Sequence, residues 1–332
     1  MRCYRLVDQE RAHHAVSLLC SVLGVSRQAY YAWRRRVPSA RELRDRELKA
    51  LIGEVFAESR RTYGAPRVAK TLRRKRGQPV ATKRVARLMG ELGIRGLSRG
   101  RRRAGTTVQN AAAVPAPDLV ERAFTAAAPN LVWVADITYV RCYDGWLYLA
   151  IVMDLFSRKI VGWSMRATLE AEIVSDALAM AVARRRPASG VVHHSDRGSQ
   201  YTSLLMGKTL RELEVTPSMG SRGCAYDNAA CESAIGTIKL ELVEQHVFAS
   251  RDIARLRVFD YIEAFYNPLR MHTTLGDLSP NEYEAAYHAT LTADPSPHET
   301  RCQAKRVKLK EQFANDPATP HPIDAHPQHR SR

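Results

Sequence analysis

Three carboxylates in this chain are of the type and order that phosphate-ester chemistry needs. They are Asp136 in LVWVADITYV, Asp196 in GVVHHSDRGSQY and Glu232 in AYDNAACESAIGTIKLEL, the last two separated by 35 residues. Asp136 interrupts an apolar, β-branched run that reads as a strand. Asp196 follows a second such run (Val191, Val192) just before the turn residues Arg197 and Gly198. Glu232 opens a segment with helical spacing at Ile235, Ile238 and Leu242. A cluster made only of acids repels itself unless cations lie between its members, and hard divalent ions with oxygen ligands are the natural occupants. Two such ions roughly 4 Å apart can activate an attacking oxygen and stabilise a leaving one. The smallest donor set is one shared carboxylate plus one for each ion. Asp136 is the expected bridge, with Asp196 and Glu232 each taking one ion in an order the residues leave open.

Each acid also has an ordinary structural role open to it. Asp136 could be a buried acid satisfied by hydrogen bonds, although an isolated charge beside Trp133, Val134 and Ile137 is costly. Asp196 could close an Asx turn. Glu232 could help cap its helix, but with Asn228 as N-cap it falls one position beyond the capping-box place. Asp144, Asp154 and Asp227 have turn, strand-end and pre-helix roles, and none keeps the 35-residue spacing to a partner. His193 and His194 precede Asp196 and fit hydrogen-bonding support of a ligand carboxylate. Arg197, Ser199, Gln200 and Tyr201 are candidate phosphate contacts. The six cysteines form no CxxC pair, which argues against a zinc knuckle or a disulfide framework and fits a reducing cytoplasm. Cys231 reads as a small buried helix residue.

To converge, a strand centre, a strand end and a helix start need a mixed α/β sheet. Strands are expected over 131–140, 146–154 and 159–165, with hairpin turns at Gly145 and Ser157. A helix over 172–185 follows, then a strand at 191–194, a helix at 204–213, a strand at 215–218 and the Glu232 helix. A further helix is expected over 252–265, ending near Pro268.

Upstream, charge dominates. The formal net charge is +17, and residues 1–110 hold 27 basic and 8 acidic residues, leaving 24 and 26 for the rest. Such asymmetry points to a polyanionic partner, against the plainer reading of a highly charged, solvated surface, and the helix-turn-helix pattern that follows makes double-stranded DNA the candidate. Residues 10–36 read as helix, tight turn at Gly24, helix, with Ser26 as N-cap and Arg27 and Gln28 exposed to a DNA groove. A second helical unit at 42–93 carries Arg67, Lys70, Arg73, Arg74, Lys83, Arg84 and Arg87 as candidate DNA contacts. Residues 95–129 read as a linker with a basic patch at Arg99–Arg103, and the Pro/His/Thr/Ala-rich tail reads as mostly disordered. The apolar stretch 15–25 lacks the flanks of a signal peptide, and no run is long enough to span a bilayer.

Around the acids the words DITYV, DLFSRKIVGW, HHSDRGSQYTS, YDNAACES with TIKLEL, and YNPLRMHTTLGDLSPNEYE occur in order. Together they resemble the OrfB-type transposases of the third insertion-sequence family, over roughly residues 15–288, and the triad resembles that of retroviral integrases. The resemblance implies a ribonuclease H-like α/β core with a five-stranded mixed sheet, preceded by all-α helix-turn-helix units. It implies a Mg2+-dependent enzyme (two ions, with Mn2+ able to substitute) that hydrolyses and transfers DNA strands at the terminal inverted repeats of an insertion sequence. Lys239 lies seven residues beyond Glu232, about 10 Å along the same helix face; the family places a DNA-end contact there. The family also implies a homo-oligomer on DNA and an OrfA partner or fusion, and this chain shows no heptad pattern. The expected organisation is a helix-turn-helix segment at 1–40, a second one at 41–94, a linker at 95–129, the catalytic core at 130–246, a helical extension at 247–290 and a tail at 291–332. A nuclease that only cleaves, or a DNA-binding regulator without catalysis, are the competing readings. The first leaves the helix-turn-helix units unexplained; the second leaves three intact acids without purpose.

Overall fold

The computed structural model describes residues 2–35, 37–98, 125–220, 229–245 and 247–293. The expected basic patch at Arg99–Arg103, Asp227, the Asn228 cap and the tail beyond residue 293 lie outside those residues. The chain divides into two compact units, residues 1–96 and 97–332.

In the first unit, α1 (Arg2–Glu10), α2 (Val16–Val22) and α3 (Arg27–Arg34) close over Val7, Cys20 and Tyr30. Gly24, at φ +63°, makes the turn between α2 and α3, a left-handed conformation that favours glycine. Ser26 caps α3 by accepting from the Ala29 amide. Helix α1 falls on a stretch whose spacing predicted no element. The next three helices are α4 (Ala40–Glu58), α5 (Ala65–Arg76) and α6 (Thr82–Glu91). They bury Leu48, Ile52, Val68, Leu72, Val85 and Leu88 at helical spacing. A reciprocal Ser39–Glu42 capping box starts α4, and Pro66 in the first turn of α5 sacrifices no helical hydrogen bond.

The second unit is built on a five-stranded sheet of order β3-β2-β1-β4-β5. Its strands are β1 (Val132–Cys142), β2 (Gly145–Asp154), β3 (Ile160–Arg166), β4 (Val192–Ser195) and β5 (Thr216–Met219). The first three form an antiparallel meander, while β1–β4 and β4–β5 are parallel. Alternation along β1 sends Trp133 and Ala135 into a core shared with α7 (Glu172–Arg185) and α8 (Leu204–Glu212). On β3, a Cβ at Gly162 would lie 2.1 Å from the Ala177 carbonyl oxygen, so glycine lets α7 approach the sheet.

Helix α9 (Ala229–Ile238) changes to a π-helical turn at Lys239–Val243, and α10 (Arg251–Asp260) changes to one at Tyr261–Tyr266. The continuous regular helix expected over 252–265 is therefore interrupted at Tyr261. The wider turn buries Tyr261, Ile262, Phe265 and Tyr266 together. Helix α11 (Pro280–Ala293) is fastened to the core through Glu284, which accepts from Ser157 Oγ at 2.7 Å and pairs with Arg185 (2.8 Å) and Lys159 (3.1 Å). Asp154 is buried at the end of β2, accepting from the Asn130 and Phe156 amides at 2.7 and 2.9 Å. That is the strand-end role its position suggested.

Candidate active site

Three elements deliver the acids. Asp136 sits mid-way along β1, opposite Ile151 of β2. Its Oδ1 accepts from the Ile137 amide at 2.7 Å. Asp196 lies one residue past β4, and Glu232 lies in the first turn of α9. Strand β4 runs parallel to β1 beside Val132–Val134, so the end of β4 emerges next to Asp136. Asp136 and Asp196 are half-buried and Glu232 is exposed.

Electrostatics register the convergence. The Asp136 carboxyl is pushed up to about 7, first by burial and next by the negative charge of Asp196. Glu232 adds to the effect, while the Ile137 amide and the Lys239 ammonium oppose it. Burial, together with the fields of Asp136, Glu232 and Asp196, also raises the Cys231 thiol well above its ordinary range. Tyr201 is raised in the same way, chiefly by burial and then by Asp136 and Asp196. Two buried groups thus respond to the same negative centre.

Asp196 does close an Asx turn, accepting from the Gly198 amide at 3.0 Å. This occupies part of the acceptor capacity of one oxygen and leaves the carboxylate able to serve elsewhere. Behind it, His194 Nδ1 meets Ser218 Oγ at 2.9 Å and ties β4 to β5. Burial drives the His193 imidazole down to about 4, so it is neutral. Its ring packs near that of Tyr201, with centroids 6.0 Å apart. Arg197 donates to the Gly220 carbonyl oxygen at 2.7 Å, and Gln200 to that of Leu169 at 3.3 Å.

Among the described residues no group of three His, Cys, Asp or Glu side chains is arranged to hold a metal ion. Asp136 lies within electrostatic reach of both other acids. The donor set nevertheless suits hard cations: it is all oxygen, and the negative charge of Asp196 and Glu232, which adds to burial in raising Asp136, is what a cation would relieve.

Lys239 opens the π-helical turn after α9, its Nζ 4.7 Å from the centroid of the Tyr139 ring. Sequence reasoning missed what holds this turn. Glu241, two residues on, is buried against Arg270, a partner whose distance along the chain hid the pairing. In the helical unit, Arg27, Gln28, Arg73, Arg74 and Lys83 are exposed, and Arg67 lies over the Tyr63 ring at 5.5 Å. Lys70 is half-buried. Arg84 and Arg87 both bind Asp45, at 2.8 and 2.7 Å, and Arg87 also binds Glu91, so each already has a carboxylate partner within the unit.

An antiparallel meander extended by two parallel strands, with acids on its central strand, beside β4 and on the following helix, defines a ribonuclease H-like polynucleotidyl transferase core. Family models agree: residues 126–224 and 232–287 each match an integrase core domain, and residues 42–102 match an HTH-like domain. The chain is 38% identical over 284 residues to "Transposase InsF for insertion sequence IS3A" of Escherichia coli (strain K12), covering 85% of this chain and 98% of that one. It is 40% identical over 270 residues to an "Insertion element IS600 uncharacterized 31 kDa protein" of Shigella sonnei, covering 81% and 98%. This chain belongs to the IS3 family of insertion-sequence transposases, DDE-type enzymes that carry out DNA transposition through an integrase-like core. Among solved structures it is similar to a simian T-cell lymphotropic virus intasome in complex with a PP2A regulatory subunit, with 13% identity, TM-score 0.40 and coverage of 85% and 80%. It is also similar to the HTLV-2 integrase catalytic core domain in complex with magnesium, with 15% identity, TM-score 0.35 and coverage of 48% and 98%. The fold assignment rests on the strand order and the family models.

Proposed function

We propose that Asp136, Asp196 and Glu232 are the catalytic acids of this transposase and that they would hold two Mg2+ ions, with Mn2+ able to substitute. Asp136 would be the shared ligand. Such ions supply Lewis-acid activation of an attacking oxygen and stabilisation of a leaving one. The reaction is hydrolysis of a phosphodiester at the element's end, followed by attack of the freed 3′-hydroxyl on a second phosphate. The chain's own part is positional: β1 and β4 fix two carboxylates rigidly, and α9 brings the third. Lys239, near enough to act on Asp136, would neutralise a phosphate of the DNA end.

The observation that carries this reading is the placement of the three acids on adjoining elements: Asp136 mid-way along β1, Asp196 one residue past the parallel neighbour β4, and Glu232 in the first turn of α9. The Asp136 carboxyl, raised first by burial and then by Asp196 and Glu232, accords with it. The test is strand joining on an oligonucleotide bearing the element's end, with Mg2+ or Mn2+. Asp136→Asn, Asp196→Asn and Glu232→Gln should each reduce joining by about a thousandfold or more, the scale on which members of a catalytic group fail singly. Activity retained in Glu232→Gln would discard the triad. Nicking without joined products would favour the nuclease reading.

The helices at residues 1–40 and 41–94 would grip the terminal inverted repeats through Arg27, Gln28, Arg67, Lys70, Arg73, Arg74 and Lys83. We assign Arg84 and Arg87 to holding α6 on α4 through Asp45. Residues 95–129 would act as linker, 130–246 as the catalytic core, 247–290 as its extension and 291–332 as a tail. Joining two ends calls for a homo-oligomer on DNA, with an OrfA product as partner or fusion, in the bacterial cytoplasm. Among the described residues no helix is long and apolar enough to cross a membrane.

A further inference from the structure

Toward its turn the β1–β2 hairpin leaves aromatic side chains open on one face. The buried core on that face is flanked by the partly buried Ile137 and Tyr148. Past them come Tyr139 and Trp146, 54% and 46% exposed. In the register Tyr139 faces Tyr148 and Arg141 faces Trp146, so Tyr139 and Trp146 are diagonal neighbours on one face. Their rings meet edge to face at 5.2 Å. Strand β4 pairs with β1 only at Val132–Val134, and among the described residues no further bridge is made along that edge of β1 until Phe248 pairs with Cys142. Lys239 holds its ammonium over the Tyr139 ring, close enough to act on Asp136 as well.

Single exposed apolar residues need no explanation. Two touching aromatic rings with a cation on one of them, a cation that also acts on Asp136 of the opposite face of β1, form a more specific arrangement. An ammonium suits a phosphate, and an indole with half its surface open suits the π-face of a base. Stacking of this kind is tolerant of base identity. We propose that Trp146, Tyr139 and Lys239 form a nucleotide subsite bordering the catalytic centre, in which Trp146 stacks an unpaired base of the DNA end and Lys239 takes the adjoining phosphate. Tyr139 is the positioning residue, holding the ammonium on one side and bracing the indole on the other. This inference rests on the reading of Asp136, Asp196 and Glu232 as the reaction centre.

The experiment compares two probes of equal charge: a hairpin duplex with a short 3′ overhang of thymidines, and the same duplex with abasic residues in the overhang. Binding to the full-length chain is measured with Ca2+ in place of Mg2+. The intact protein should prefer the thymidine probe by about fivefold or more, the lower end of base–aromatic stacking. Trp146→Ala should abolish most of that preference, while Trp146→Tyr should retain part of it. Lys239→Gln should weaken both probes alike. Should Trp146→Ala prove unfolded, Tyr139→Leu gives the second reading, because the bracing of the indole goes with it. An unchanged thymidine preference in a folded Trp146→Ala or Tyr139→Leu protein overturns the proposal, as does an intact protein with no preference. Strand joining by the same preparation separates the two claims. Joining without base preference overturns only the subsite; base preference without joining counts only against the catalytic reading. Binding to neither probe overturns both.

Discussion

Arg270 grips Glu241 through Nε and Nη2 at 2.8 and 2.6 Å, with the two side chains only 5% and 3% exposed. Tyr261 adds a third bond, donating to Glu241 Oε2 at 2.7 Å. The pair locks the π-helical turn that begins at Lys239 against the one that ends at Tyr266. Removing one partner of a buried pair leaves an uncompensated charge. Arg270→Ala should therefore destabilise the core by about 3–5 kcal/mol, read from urea unfolding. The double variant Arg270→Met with Glu241→Gln should recover a large part of that loss, because no charge is stranded. A loss below about 0.5 kcal/mol in Arg270→Ala, the range of ordinary surface substitutions, would show that the pair holds nothing.

That pair also marks where the sequence stops being legible. The three acids could be read because each sits in a locally recognisable word: a β-branched run around Asp136, a turn after Asp196, helical spacing after Glu232. Helix α7 could be read to the residue for the same reason, Ile173, Ala177, Leu178 and Ala181 recurring at helical spacing. The short strands β4 and β5 begin one residue later than expected, since four-residue elements carry little periodicity. The π-helical turns could not be read, because they follow from packing Tyr261 and Tyr266 around the Glu241–Arg270 pair. Charges on α6 show the complementary problem. Sequence displays Lys83, Arg84 and Arg87 as equals, while Asp45, far upstream, claims two of them.

His193 should give the core an acid-labile term. It is buried in β4, its Nε2 has no hydrogen-bond partner among the described residues, and its imidazole is depressed to about 4 from a usual value near 6.5. A depressed base is neutral when folded and takes a proton when unfolded. Stability from this group is therefore complete above about pH 6.5 and is lost as pH falls toward 4, by as much as about 3 kcal/mol. Asp154 has the opposite sign: its carboxyl is raised to about 6, so acidification through that range favours the folded state. The wild-type profile mixes these with the raised Asp136 carboxyl, which has the sign of Asp154. The stability difference between His193→Phe and wild type isolates the first, and should shift in favour of the variant as pH drops from 6.5 to 4. A pH-independent difference would contradict the buried neutral imidazole.

Gly162 should tolerate no side chain. A Cβ there would stand 2.1 Å from the Ala177 carbonyl oxygen and 2.8 Å from the Ala181 methyl, both on α7. The backbone of a packed helix cannot yield as a flexible side chain would. Gly162→Ala should cost about 1–3 kcal/mol or more by denaturant unfolding, with the usual gain of alanine over glycine in a strand overwhelmed. Stability equal to wild type would mean that α7 can slide away from β3, and that the core of Trp133, Ala135, Ile173 and Ala177 is less tightly determined than its burial indicates.

The basic helices of the first unit should separate under a salt titration. Each lysine or arginine that neutralises a DNA phosphate contributes about 0.9 to the slope of log Kobs against log salt. Arg73 and Lys83 are exposed at the surface of α5 and α6, whereas Arg84 is turned onto Asp45 with contacts of 2.8 and 2.9 Å. The Asp45 carboxyl is held below its usual range, chiefly by hydrogen bonds from Arg87 and then Arg84, so both guanidinium groups are engaged within the unit. Arg73→Gln and Lys83→Gln should each flatten the slope by about one while leaving thermal unfolding unchanged. Arg84→Gln should leave the slope alone and lower the unfolding temperature of the helical unit, because α6 then loses one of its two ties to Asp45 of α4. If Arg84→Gln flattened the slope as Arg73→Gln does, the guanidinium would have to leave Asp45 on binding DNA, and α6 would be a DNA-contacting helix along its inner edge as well.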